Sequence, residues 1–258
     1  MRHIFITLVI IALFSCSTKE QEKLKQGTYR AILTVQDNQK LPFNFKVVTD
    51  TIIEIYNADE VITINEIRYN NDSVIIQTPV FEGYIKAKIT KNGLQGNFIK
   101  ESYDRVVAFN AHKNKFRFDQ KLTSKHNITG NWETVFSKSL TDEYIAKGIF
   151  NQQGNKVTGT FRTTTGDYRY LEGIVDGDSL KLSTFDGAHA FLFTAKVTDS
   201  SMIGNFYSGL HWKEPFVAKR NKNYELPSAE NLTFLKNGYE TLQFSFPDKN
   251  NQLISLTD

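Results

Sequence analysis

The sequence has only one cysteine, Cys16, among its 258 residues. A single thiol cannot form an intrachain disulfide, a zinc knuckle or a CxxC redox pair, so all three are excluded within this chain. Glycine-rich nucleotide loops and the HExxH and GxSxG motifs are missing as well. The 31 basic and 28 acidic residues give a net charge of +3, which lacks the basic excess typical of nucleic-acid binders. The residues by themselves predict no metal, no cofactor and no nucleic-acid partner, and they name no reaction.

The amino-terminal residues have the features of an export signal. A basic start at residues 1–3 precedes an apolar run at residues 4–14, which is too short to span a bilayer as a permanent helix. Leu13 and Ser15 precede Cys16 in a pattern that resembles the lipobox of bacterial lipoproteins. That resemblance implies cleavage before Cys16, acylation there, and anchoring in the cell envelope, facing the periplasm or the outside. The alternative is an ordinary secretory signal with an incidental cysteine.

Alternating apolar and polar residues dominate from Gly27 onward, and turn residues recur at the spacing of an antiparallel meander. Four short motifs reappear in the same order 103 to 108 residues later. Gly27-Thr28-Tyr29, for instance, is matched by Gly130-Asn131-Trp132. We therefore predict two copies of one β domain, at residues 27–113 and 130–221. Residues 1–15 would be the signal peptide, 16–26 a polar tether and 114–129 a linker.

Each copy contains about eight short strands by this pattern, and the 13% aromatic content also favours strands. A single open sheet of that size would leave long edges and one bare face, so we predict an all-β fold in which each copy closes into a barrel, with a two-layer sandwich as the alternative. The Gly-x-Trp/Tyr motif also occurs in lipocalin- and avidin-like barrels, where the aromatic ring plugs the closed end. The interior of such a barrel is filled by side chains or holds one small ligand.

The turns of the second copy carry most of the candidate functional residues. Paired carboxylates could perform acid–base chemistry if they faced one pocket, an arginine could bind an anion, and a tryptophan could line a ligand cavity. The candidate ligand-binding residues are Asp167, Arg169, Glu172, Asp186, His189 and Trp212. Alternatively, the carboxylates cap turns, the arginine is a surface charge, and the imidazole and indole are structural. The histidines show no metal-ligand spacing, so no metal site is predicted.

Several longer motifs resemble the N-terminal region of TlpA-like envelope lipoproteins of Gram-negative bacteria. These motifs, all in the second copy, are TGTFRTTTGDYRYLEG, LSTFDGAHAFLFTAKV and GNFYSG. In that family a lipidated β region precedes a thioredoxin-like domain with a WCxxC active site. Residues 222–258 then resemble a linker and the opening hairpin of that domain. Because a lone hairpin is marginal by itself, this favours a sequence truncated before the redox domain.

The resemblance implies thiol–disulfide exchange, but it gives this chain no catalytic residue. An oxidoreductase of this kind needs a thiolate of low pKa and a resolving cysteine, and Cys16 would be consumed by lipidation. We therefore expect an inactive part of such a lipoprotein, which tethers and positions a redox domain that these 258 residues do not contain. Its partners would be membrane lipid, through Cys16, and envelope proteins with cysteines. The alternative is a self-standing, lipid-anchored barrel that binds a small ligand or a partner protein.

Overall fold

The computed structural model describes residues 21–79 and 82–256, so the predicted signal peptide and the lipidation site at Cys16 lie outside it. The described part is built from antiparallel strands with three short 3₁₀ helices. Within these ranges, no helix has the length and apolarity needed to cross a membrane. The prediction of an all-β fold with two tandem domains is confirmed.

The first domain is a nine-stranded antiparallel sheet that curls until its edges nearly meet. Its spatial order is β4-β3-β2-β1-β9-β8-β7-β6-β5, so the two edge strands, β4 and β5, are neighbours in the sequence. They are joined by residues 65–66 without pairing. The strands are β1 (Gly27–Thr34), β2 (Lys40–Thr49), β3 (Ile52–Asn57), β4 (Glu60–Ile64), β5 (Ile67–Asn70), β6 (Ser73–Gln77), β7 (Tyr84–Thr90), β8 (Gly93–Lys100) and β9 (Arg105–Lys113).

The second domain is a closed eight-stranded barrel, because its first strand pairs with both its second and its last. The barrel is therefore the correct alternative, and the sandwich is not formed. The strands are β10 (Gly130–Phe136), β11 (Tyr144–Gln153), β12 (Lys156–Thr163), β13 (Leu171–Asp176), β14 (Ser179–Phe185), β15 (Ala190–Val197), β16 (Ser201–Ser208) and β17 (Trp212–Arg220).

The first domain has one strand more than the second. Its β-branched residues at 61–64 continue the chain into β4, which pairs with β3. At the corresponding place after β12, the second domain has a turn, in which the amide of Thr163 donates to the carbonyl of Gly166 at 2.7 Å. A difference in turn chemistry therefore separates a nearly closed sheet from a closed one.

Both domains close one end with the same arrangement of an aromatic ring and a cation. Tyr29 and Trp132 are buried at the start of β1 and β10, and each donates a hydrogen bond of 2.8 Å to the carbonyl four residues earlier. Lys113 and Arg220, on the last strand of each domain, lie 5.9 and 4.4 Å from the centres of these rings. These contacts agree with the expected aromatic plug and add the cation, which supplies a cation–π contact.

Aromatic rings fill the interior of the second barrel. Phe161 and Phe193 have centroids 4.9 Å apart, and Tyr168 packs on Phe206 at 4.9 Å from the loop after β12. The rings of Phe136 and Phe216 complete this cluster. The rings occupy the space in which a barrel of this size would hold a ligand.

In both domains, a neighbouring strand approaches so closely that glycine is needed at one position, Gly96 in β8 and the matched Gly204 in β16. A Cβ atom at either position would lie 2.1 Å from a carbonyl oxygen of the neighbouring strand and would meet the Cβ of Ala87 or Ala195. We expect Gly204→Ala to lower the free energy of unfolding by about 1–3 kcal/mol, as overpacking does. Urea unfolding measures this loss.

The matched control is Gly166→Ala, because a Cβ atom at Gly166 meets nothing within 4 Å. We expect this change to stay within about 0.5 kcal/mol of the parent protein. Equal losses in the two variants would contradict the close strand approach at Gly204.

The residues after the second barrel do not join either core. They contain a small hairpin, β18 (Ser245–Pro247) and β19 (Leu253–Ser255). Large apolar side chains along this segment are exposed, including Phe234 at 83%, Phe246 at 66% and Leu253 at 71%. A contiguous set of exposed apolar side chains is a feature of surfaces that contact another protein or domain.

Candidate functional site

The two β domains meet through loops at one end of each. The amide of Gln36, after β1, donates to the carbonyl of Gly209, after β16, at 3.0 Å. Gly187, in the loop after β14, lies so close to Thr78 that a Cβ atom would come within 2.5 Å of that side chain. The loop at Asp186-Gly187 therefore makes a close contact between the domains, which glycine permits.

Phe185, at the end of β14, inserts into the core of the first domain. Its side chain is fully buried and belongs to the first domain's hydrophobic cluster. The ring stacks on Phe43 of β2, with centroids 4.3 Å apart, and meets Phe98 of β8 edge-on at 5.0 Å. A side chain of the second domain thus closes the end of the first.

Hydrogen bonds to the backbone of Phe185 hold it in this position. The side-chain amide of Asn57, at the end of β3, donates to the carbonyl of Phe185 at 2.9 Å and accepts from its N–H at 3.2 Å. Asn57 is fully buried, so both bonds are shielded from water. The side-chain amide of Asn57 therefore makes the two hydrogen bonds that the backbone of a neighbouring strand would make with Phe185.

Arg117 is the central cation of the interface. It comes from the segment between the domains, and only 5% of its surface is exposed. Its guanidinium donates to the carbonyl and hydroxyl of Ser183, both at 3.2 Å, and to the carbonyl of Tyr56. Burial lowers the pKa of Arg117 to about 10, opposed by the charge of Glu172, so the group remains protonated at neutral pH.

Glu172 lies beside this cation and also joins the two domains. Its carboxylate is 3.7 Å from Nε of Arg117 and 3.5 Å from Nζ of Lys156. It accepts a hydrogen bond of 3.1 Å from the amide of Ala58, in the turn between β3 and β4. The carboxylate is therefore committed to contacts between the domains.

A second ionic group includes Arg169, Asp186 and Glu60. Arg169 adopts a left-handed backbone with φ of 61°, and its side chain pairs with Glu60 of the first domain at 2.5 Å and with Asp186 at 3.1 Å. Asp167 accepts from the amide of Arg169 at 2.8 Å and so caps the turn.

Asp186 is the most buried carboxylate of this group, at 2% exposure. One of its oxygens accepts from the amides of Ala188 and His189 at 2.8 and 2.6 Å, and the other lies 2.9 Å from Nδ1 of His189. Burial raises the pKa of Asp186, but the hydrogen bonds from His189 and from the two amides outweigh it, so the pKa is lowered from 3.8.

Because the folded pKa of Asp186 is depressed, its stabilising contribution is complete above the unfolded pKa of 3.8 and is lost as pH falls through the lower folded value. We expect Asp186→Asn to lower the free energy of unfolding by about 1.5–3 kcal/mol at neutral pH. That difference from the parent protein should shrink as the pH falls below 3.8. Urea unfolding across pH 2–7 checks this, and a difference independent of pH would contradict it.

The structure thus brings together five of the six residues predicted as ligand-binding: Asp167, Arg169, Glu172, Asp186 and His189. It gives them contacts within the protein, as turn caps and interdomain ion pairs. Trp212 is apart from them on β17 and is 45% exposed. Sequence analysis missed Arg117, Asn57 and Ser183. Phe116 and Phe118, which flank Arg117 in an otherwise charged segment, are the signal that could have indicated it.

A separate polar network lies at the end of the second barrel opposite its tryptophan plug. Glu214 is buried and accepts from the hydroxyls of Tyr144 at 2.7 Å and Ser137 at 2.8 Å. Tyr144 also shares a hydrogen bond with Tyr168. Burial raises the pKa of both phenols, that of Tyr168 to about 12, so both hydroxyls stay protonated and can donate. These four residues carry no sequence motif.

The described residues offer no group of three or more His, Cys, Asp or Glu side chains that could hold a metal ion. The acidic groups near the interface instead face arginines and lysines. The arrangement binds the two domains to each other, and its charges are neutralised by one another.

Sequence comparisons give no match: no family model and no curated protein corresponds to this chain. A solved structure aligns with it, that of a Bacteroides fragilis protein assigned provisionally to the outer membrane. The identity is 10% and the TM-score 0.25, over 76% of this chain and 97% of the other. A similarity of this size supports no inference about fold or function.

Proposed function

We propose that the chain is a non-catalytic, lipid-anchored β spacer of the cell envelope, which tethers and positions a thioredoxin-like redox domain. The observation that carries this proposal is the interface between the two domains. Phe185 of the second domain packs in the core of the first. Arg117, from the segment between the domains, donates hydrogen bonds to both of them. Both side chains are buried. Two β domains joined in this way form a stiff unit, and stiffness is what a spacer requires.

The contacts of the charged residues argue against a catalytic site at the interface between the domains. A general acid or base must reach a substrate proton, whereas Glu172 and Asp186 are held by arginines and backbone amides of the protein itself. The filled interior of the second barrel likewise argues against a ligand held there. The other function that the sequence left open is a self-standing, lipid-anchored barrel that binds a small ligand or a partner protein, and a ligand inside the second barrel therefore has less support.

The exposed hairpin supports a contact with a further domain. Phe246 and Leu253 lie on its two strands and are more than half exposed. The resemblance to TlpA-like lipoproteins implies that this hairpin opens a thioredoxin-like domain, whose further residues would cover its apolar side chains. The redox cysteines would belong to that domain, since Cys16 is the chain's single cysteine.

The anchoring part of the proposal has a direct test. We expect the exported protein to fractionate with membranes and to carry acyl chains on Cys16, as mass spectrometry of its amino-terminal peptide would show. Cys16→Ala should release the protein from membranes, because acyl chains provide stable anchoring. An unmodified Cys16 in a soluble exported protein would contradict the anchor.

The spacer part is tested by motion and by the gene. We expect ¹⁵N relaxation to give one rotational correlation time for both β domains, and two different times would contradict a stiff unit.

We expect the DNA after codon 258 to encode a WCxxC motif within about thirty codons, roughly one βα unit. A stop codon there, with stable soluble protein, would contradict the positioning of a redox domain.

A further inference from the structure

A cavity of about 180 Å³ lies between the two domains, beside the contact of Gln36 with Gly209. The first domain contributes the loop between β8 and β9, and the second contributes the corresponding loop between β16 and β17, together with the end of the loop after β14. Phe98, Val107 and Ala190 provide an apolar floor, and Lys100, Arg105 and His211 provide nitrogen groups. The cavity exists because the two copies are docked.

The ring of Tyr103 contacts both cations of this cavity. The ammonium of Lys100 lies 4.8 Å from the centre of the Tyr103 ring, and the guanidinium of Arg105 lies 4.7 Å from it. Each contact is a cation–π interaction, which partly offsets the repulsion between two positive groups. The ring is 60% exposed, so it acts as a surface platform for the pair.

No acidic side chain in the described ranges neutralises this pair at contact distance. Of the fifteen ion pairs within 4.0 Å, none includes Lys100 or Arg105, although both residues are half-buried. Asp104 lines the same cavity and reduces its net charge. Desolvation lowers the pKa of His211, and the charges of Arg105 and Lys100 lower it further.

We propose that this interdomain cavity binds a small organic anion, with its acidic group facing the cations Lys100 and Arg105 and its apolar part on Phe98 and Val107. Two cations that line the same cavity favour a carboxylate or phosphate group. The apolar floor selects an anion with a hydrocarbon body over an inorganic one. The proposal does not depend on a redox role for the chain.

Calorimetry on the full chain in a neutral detergent tests the site, with phenyl phosphate and inorganic phosphate as probes. We expect phenyl phosphate to bind about tenfold more tightly, because it buries a ring on the apolar floor. The amide signals of Gly209 and His211 should shift on binding. Equal affinities of the two probes would overturn the apolar part of the proposal, and undetectable binding of both would overturn the whole.

Three variants localise the binding. Replacing Lys100 and Arg105 together by glutamine should weaken phenyl phosphate binding at least about tenfold, whereas the same change at the exposed Lys46 and Lys86 should leave it unaltered. Asp104→Asn should strengthen binding about threefold, because it removes a nearby negative charge. Asparagine also suits the left-handed backbone at this position, where φ is 50°. An unchanged affinity in the Lys100 and Arg105 variant would overturn the site.

Discussion

Arg117→Ala should lower the free energy of unfolding by about 3–5 kcal/mol, the range for removing one partner from a buried ion pair. The guanidinium is 5% exposed, so water neither screens it nor replaces it in the folded protein. Its loss leaves the carbonyls of Tyr56 and Ser183 without their donor and Glu172 without its buried cation. Urea unfolding measures the loss, and we expect calorimetry to show one thermal transition for the parent protein and two for the variant.

Arg162→Ala is the control, because Arg162 is exposed on β12 and undergoes the same chemical change. We expect it to stay within about 0.5 kcal/mol of the parent protein. Arg117→Lys should fall between the two, because lysine keeps the charge but loses the planar set of donors. A loss in Arg117→Ala no larger than that of the control would contradict the central role of the buried guanidinium.

The strands were predictable because alternation in the sequence reports directly on which side chains face a core. The matched motifs at Gly27 and Gly130 likewise begin the first strand of each domain. About eight strands were predicted in each copy, but the first domain has nine, because its β-branched residues 61–64 pair with β3 where the second domain has a turn at residues 163–166.

The interface between the two domains could not be predicted from the sequence, for a different reason. Phe185 continues the pattern of a strand in its own domain, and nothing in that pattern reports that its ring is buried in the other domain. Arg117 lies in a charged segment that has the composition of a linker, and its burial follows from where two separate domains meet. Contacts between domains depend on shape across distant parts of the chain, which a local pattern does not contain.

The turn residues of the second copy were predicted as candidate ligand-binding residues, and the structure shows them in contacts within the protein. Asp, Gly and Arg residues concentrate in turns because turns need their backbone and hydrogen-bonding properties. The same turns are the surface that meets the first domain, so Arg169 and Asp186 have their partners within the protein. The cation pair at Lys100 and Arg105 was missed because it is assembled on Tyr103 across a loop.

Phe185→Ala should also cost about 3–5 kcal/mol, the range for removing a buried phenylalanine ring. The residue belongs to β14 of the second barrel, but its ring packs on Phe43 and Phe98 of the first domain. We therefore expect amide hydrogen exchange to accelerate most in β2 and β8 of the first domain. The vacated space should bind an apolar dye, whereas the parent protein should not.

The control for this change is Phe116→Ala, since the ring of Phe116 is 61% exposed and its removal leaves no cavity. The two variants lose the same side chain from the same protein, so their difference isolates the closure of the first domain by the second. Acceleration confined to the second barrel would contradict that closure, because it would mean that Phe185 supports only its own strand. Acceleration in β2 and β8 would instead mean that the first domain depends on the second for its core, and hence that the two copies are stable as a pair.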